Sequence, residues 1–107
     1  MMLAELPLIL TAIPRDRSTL PIEAAEALVR WMAQLSMREL RARQAYAIRV
    51  LATLGTKPST NWHEYEHGAA RNAEFDRGVC SAAIDLRTFG DDGGWRAHIP
   101  RPTQTNK

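Results

Sequence analysis

Residues 36–55, "SMRELRARQAYAIRVLATLG", carry helix signals at both ends and along their length. Ser36 and Glu39 have the S-x-x-E spacing of a capping box, in which each side chain satisfies a backbone N–H that the first turn leaves unpaired. Gly55 is a natural C-terminal stop. Leu40, Ala47, Leu51 and Leu54 recur on one face, flanked by Ile48 and Val50. Arg38, Arg41 and Arg49 line the opposite side around Ala45. The spacing predicts one amphipathic helix over 37–54.

Upstream, "STLPIEAAEALVRWMAQLS" predicts a helix over about 21–34, with Ser18 or Thr19 as N-cap, Pro21 in the first turn and acids soon after. Ile22, Ala25, Leu28, Val29, Met32 and Leu35 cover one wide face, yet Ala24 and Trp31 lie well round from Ile22. So broad an apolar arc predicts cover on more than one side, from an N-terminal arm or from a second subunit.

Downstream, "TKPST" reads as a loop, after which Ser59 or Thr60 can cap a third helix over about 60–88. Its expected inward set is Trp62, Tyr65, Ala69, Cys80 and Ala83, with Val79 and Leu86 on one flank and Ile84 on the other. Gly68 and Gly78 each weaken a helix by roughly 1 kcal/mol relative to alanine. Asn72 and Asp76 fall on the apolar face, so an alternative ends the helix near Asp76 and lets that residue cap a second piece.

The ends of the chain are less regular. Residues 2–13 form a short helix or an extended apolar arm closed by Pro14, within an arm over 1–17. Residues 90–107 read as an irregular tail, which Trp95 and Ile99 are able to pin to the body. No segment alternates at period two for the length of a strand. The expectation is a single all-α domain over 1–107: a small bundle built on an antiparallel hairpin of 37–54 and 60–88, with the 21–34 helix packed on it.

Composition sets the wider limits. The chain has 107 residues, 45% hydrophobic and 24% charged, which suits one globular domain and not a disordered one. The formal charge is only +2, but twelve of the fourteen basic residues are arginine, the side chain that makes forked contacts to carboxylates and phosphates. One cysteine, Cys80, excludes an internal disulfide and suits a reducing compartment. The apolar opening "MMLAELPLILTAIPR" lacks a leading basic residue and is interrupted by Glu5 and Pro7, which makes a poor signal peptide and too short a membrane span. A soluble, cytoplasmic protein is expected.

One short motif points to chemistry. His63-Glu64-Tyr65-Glu66-His67 matches H-E-x-x-H, in which two imidazoles at i and i+4 hold zinc and the glutamate activates metal-bound water. In these five residues the chain resembles the zinc peptidases. The resemblance implies His63 and His67 as ligands and Glu64 as base. The extended form of the motif needs glycine at 70 and histidine at 73, where this chain has alanine. A separate acidic ligand is left to Asp85, Asp91 or Asp92. The competing reading sets His63, Glu66, His67, Glu74 and Arg77 on one solvated, ion-paired stripe. That reading is preferred, with no catalytic residue, no metal and no cofactor expected.

Other features point to binding. Arg38, Arg41 and Arg49, with Arg43 nearby, suit a phosphate backbone or an acidic protein surface. A helix-turn-helix over 21–54 fits less well, because the arginines spread over three turns instead of gathering at the N-terminal end. Cys80 on an apolar face reads as a small buried filler. Of Trp31, Trp62 and Trp95, two are expected in the core and one at a rim, and Trp95 joins the arginines as a candidate partner contact. "GDDGG" at 90–94 is acidic and would repel a phosphate.

The short helical hairpin opened by "LSMRELRARQ" loosely resembles small accessory proteins of phages and other mobile elements. That resemblance implies inhibition or modulation of host machinery. The expectation is a non-catalytic binding protein that docks on a larger macromolecule, most simply a protein. Nucleic-acid binding through 37–54 is the first alternative and zinc-dependent hydrolysis the second. Self-association through the 21–34 helix is also expected.

Overall fold

The computed structural model describes residues 20–100, and these form three helices with two short 3-10 turns and no strand. We name the helices α1 (Ile22–Met32), α2 (Met37–Leu54) and α3 (Glu64–Phe89). The 3-10 turns are Ser59–Asn61 and Trp95–His98. The arm over 1–17 and residues 101–107 of the tail lie outside the described residues.

The α2 boundaries match those read from the sequence. Ser36 caps it, its hydroxyl accepting from the Glu39 N–H at 3.1 Å. Only half of the expected box serves the cap, because the Glu39 carboxylate is held one turn on by Arg43, at 3.1 Å. α1 starts at Ile22 with Pro21 as N-cap; Ser18 and Thr19, the expected caps, lie outside the described residues.

α3 starts later than expected. Residues 59–61 form a 3-10 turn, and His63, not Ser59 or Thr60, is the N-cap. The Glu66 carboxylate accepts the His63 N–H at 2.8 Å and pairs with Lys57 Nζ at 3.2 Å. The helix then runs unbroken past Asp76 to Phe89. Asn72 and Asp76 are half-buried and both engaged, which removes the need for a break.

α3 is the central element. α2 packs antiparallel to it: Gln44 donates to Ser81 Oγ at 2.8 Å, and at the far end the Trp62 indole donates to the Leu54 carbonyl at 3.0 Å. α1 packs on α3 and on the returning chain beyond Phe89. At the C-terminal end of α1, Arg87 donates to the Ala33 carbonyl at 3.0 Å. The chain after Gly90, the one described residue with positive φ (81°), turns back along α3. There His98 bonds Asp85 at 2.9 Å.

Gly78 lies under this returning strand of chain, and a Cβ there would sit 2.6 Å from the His98 carbonyl oxygen. Phe75, Gly78, Ala82 and Asp85, spaced i, i+3, i+7 and i+10, thus form a side of α3 that faces the tail. Phe75 and Ala82 are buried there, though neither was expected inside. Tyr65 is corrected in the other direction. It lies on the expected face but in the first turn of α3, is 73% exposed and stacks on His63 at 5.8 Å.

The tail is part of the core. Trp95 is 0% exposed and Ile99 5%. The Trp95 ring is flanked by the Arg30 guanidinium at 5.0 Å and the Arg96 guanidinium at 4.3 Å. Arg30 in turn pairs with Asp91 at 3.2 Å, and Arg96 with Glu26 at 3.5 Å. Arg30, with the charge of Arg96 nearby, holds the Asp91 carboxyl below the usual carboxylate range. Cover by α3 and the tail accounts for part of the apolar arc on α1: Ala24, Ala25, Val29 and Met32 are buried, whereas Leu28 and Trp31 are half-buried and line a groove toward α2. Ile22, expected inward, is 39% exposed at the start of that helix.

Candidate interaction surface

α2 buries little of itself. Only Leu40 and Ala47 are fully inside, and Leu51 and Leu54 are half-buried beside α3. The opposite side presents Arg38, Arg41, Ala45, Ile48, Arg49 and Ala52, all exposed. Their spacing places them on one face of an 18-residue helix, which is about 27 Å long. No acid stands among them. α2 contains four arginines and one glutamate, a surplus of three positive charges on a chain whose total is +2.

The four arginines do not act alike. Arg43 is turned toward the α1 side and paired with Glu39. Arg49 lies over the Tyr46 ring at 5.9 Å. Arg38 and Arg41 pair with no acid among the described residues. Arg38 stands in the first turn, where the helix dipole favours anions, so local helix energetics do not select a cation there. Trp95 has to be removed from the set: it has no exposed surface and belongs to the core. Tyr46, 63% exposed, and Ile48, 48% exposed, join it. The sequence signal for Tyr46 is its position, roughly 100° round α2 from both the leucine face and the arginine face at about 100° per residue. Ile48, expected on the flank of the buried face, is covered by no neighbouring element among the described residues.

Beside this surface, α1 and α2 both pack on α3 and leave a groove of about 470 Å³ between them. Leu28, Trp31 and Met32 form one wall, Ala42 and Tyr46 the other, with Val79 in the floor. A second hollow of about 240 Å³, along Val50, Ala69 and Ala73, shares Tyr46 and Asp76 with the first. Cys80 lines the groove but is only 2% exposed, and burial pushes its thiol up to about 11. A thiol so disposed is a poor nucleophile.

The H-E-x-x-H residues lie at the start of α3, beside the C-terminal end of α2, and do not have the geometry of the resembled family. That geometry needs both histidines on one helical face, whereas His63 is the N-cap, with extended backbone at φ −72° and ψ 164°. Its ring stacks on Tyr65, while the His67 ring meets the edge of Trp62 at 5.1 Å. Glu66 is committed to the cap; the bond from the His63 N–H, with Lys57 behind it, holds its carboxyl below the usual range. No group of three or more histidine, cysteine, aspartate or glutamate side chains able to hold a metal occurs among the described residues. Glu74 and Arg77 form the expected i,i+3 pair at 2.6 Å.

The chain matches no protein-family profile, no curated protein and no solved structure. No helix among the described residues is long and apolar enough to cross a membrane.

Proposed function

We propose that the protein is a small, non-catalytic, cytoplasmic binding module whose α2 outer face docks on an acidic surface of a larger protein. The observation that carries this reading is the concentration of positive charge on the solvent side of α2, greater than the net charge of the whole chain. Two features favour a protein partner over nucleic acid. Tyr46 and Ile48 stand exposed beside the arginines, and aromatic residues together with arginine are enriched at protein interfaces. Second, α1 packs mainly on α3 and not on α2, which departs from a helix-turn-helix. Action on host machinery, as in small accessory proteins of mobile elements, fits a chain that offers a docking face and, among the described residues, no assembled catalytic group.

The test is affinity capture from nuclease-treated extract of cells in which the protein is naturally made. Wild type is compared with the triple variant Arg38→Glu, Arg41→Glu, Arg49→Glu, after circular dichroism establishes that both are folded. A protein retained by wild type and lost by the triple variant is expected. If every captured species disappears on nuclease treatment, the partner is nucleic acid and the protein reading fails. A mobility shift that weakens steeply with salt would then identify the phosphate backbone as the ligand.

A further inference from the structure

We infer that the groove between α1 and α2 receives the apolar side chains of the same partner whose acidic groups meet α2, so that the partner offers an acidic amphipathic helix. This rests on the reading of α2 as the docking face and extends it across Tyr46. Two relations join the surfaces. Arg49 lies over the Tyr46 ring at 5.9 Å, and Tyr46 is itself part of the groove wall. Arg38 stands one turn before Ala42, which shares that wall, and residues at i and i+4 are neighbours on a helix surface. The α2 edge of the groove is therefore rimmed by arginine.

Polarity divides along this edge. Inside, Leu28, Trp31, Met32 and Val79 supply apolar surface around about 470 Å³. The charged groups that line the groove are already engaged, Arg43 with Glu39 and Asp76 with a partner of its own. Apolar groups therefore suit the interior. Outside, Arg38 and Arg49 are exposed, and guanidinium binds carboxylates through paired, charge-assisted hydrogen bonds. A helix with an apolar stripe bordered by carboxylates matches both parts, in the mode by which amphipathic helices occupy apolar grooves. A second copy fits poorly, because a two-fold contact sets the same arginine-rimmed patch against itself.

The experiment is a titration of the isotope-labelled full chain, followed by NMR. The probe is a synthetic peptide with leucine at i, i+3, i+4 and i+7 and glutamate and alanine elsewhere. Control peptides carry serine for leucine, or glutamine for glutamate. At about 1 mM peptide, a contact with millimolar Kd is visible. Resonances of Leu28, Ala42, Val79 and the Trp31 indole should shift. Binding should weaken at least about tenfold with either control peptide, and with Ala42→Trp, which fills the groove from an exposed position. The serine peptide needs no change in the protein, so it decides the matter if Ala42→Trp does not fold. Shifts confined to Arg38, Arg41 and Ala45, equal for the leucine and serine peptides, would leave the docking face standing and remove the groove from it. Equal binding of the glutamine peptide would refute the acidic requirement. Groove shifts that follow protein concentration without peptide would assign it to a second copy. Tighter binding of a single-stranded oligonucleotide at the same resonances would assign it to nucleic acid. No shift at all would also overturn the inference, while the α2 reading is judged separately by the capture experiment.

Discussion

Two alanine substitutions in the same helix are expected to change stability in opposite directions. In an open helix, glycine to alanine gains about 1 kcal/mol, because alanine loses less backbone freedom on folding. At Gly68 the nearest atom to a new Cβ is the end of the Arg71 side chain at 3.8 Å, an ordinary contact, so Gly68→Ala should gain about 0.5–1 kcal/mol. At Gly78 the same Cβ would lie 2.6 Å from the His98 carbonyl oxygen and 2.6 Å from Pro100 Cδ. The backbone oxygen cannot rotate away, so the tail has to lift. Ile99, buried between those two residues, moves with it and loses much of the roughly 1.5–3 kcal/mol that its burial supplies. Offset by the helix gain, Gly78→Ala should destabilise by about 1–2 kcal/mol. Urea unfolding followed by far-ultraviolet circular dichroism gives both values directly. If Gly78→Ala stabilises as much as Gly68→Ala, the tail does not lie on α3 and the description of the core is wrong.

Three further outcomes follow from the same structure. Trp95→Ala should cost about 3–5 kcal/mol in urea unfolding, as for any large core side chain, whereas a loss below about 1 kcal/mol would show that the tail is dispensable. Ser36→Ala should cost about 1 kcal/mol through loss of the cap on α2, and Ser36→Asn should restore most of it. Cys80 should react with a disulfide reagent at pH 8 about 100-fold more slowly in the folded protein than in denaturant, the ratio set by two pH units in thiolate population. Because its folded pKa is raised, the unfolded chain releases the thiol proton first as pH rises. Stability relative to Cys80→Ala should therefore fall between about pH 9 and pH 11.

What could be read from the sequence depended on how local its cause was. α2 was legible to the residue because Ser36, Gly55 and the Leu40–Ala47 spacing act within the helix itself. The start of α3 was missed because Ser59 and Thr60 are better caps by composition than His63. The decisive signal was Glu66, three residues beyond His63 and within reach of Lys57. The placing of Tyr65 inside and the omission of Phe75 from the inward set have a non-local reason. Angular position on a helix says which way a side chain points, but cover depends on whether another element reaches that level. Phe75 is 2% exposed within the core, whereas Tyr65, in the first turn of α3, is left 73% exposed. Trp95 was read as both a pin for the tail and a partner contact, and only its burial against Arg30 and Arg96 separates the two roles. The arginine face was legible as a pattern on α2; its partner was not, because complementarity belongs to two molecules and the sequence describes one.

The central claim is that the outer face of α2 makes the contact. It is tested most directly by a photoreactive amino acid placed at Ala45, in the middle of that face, and separately at Glu74, exposed on α3. Irradiation in the cells that naturally make the protein should yield a discrete protein adduct from position 45 and none from position 74. Adducts from position 74 alone would contradict the assignment of the docking surface.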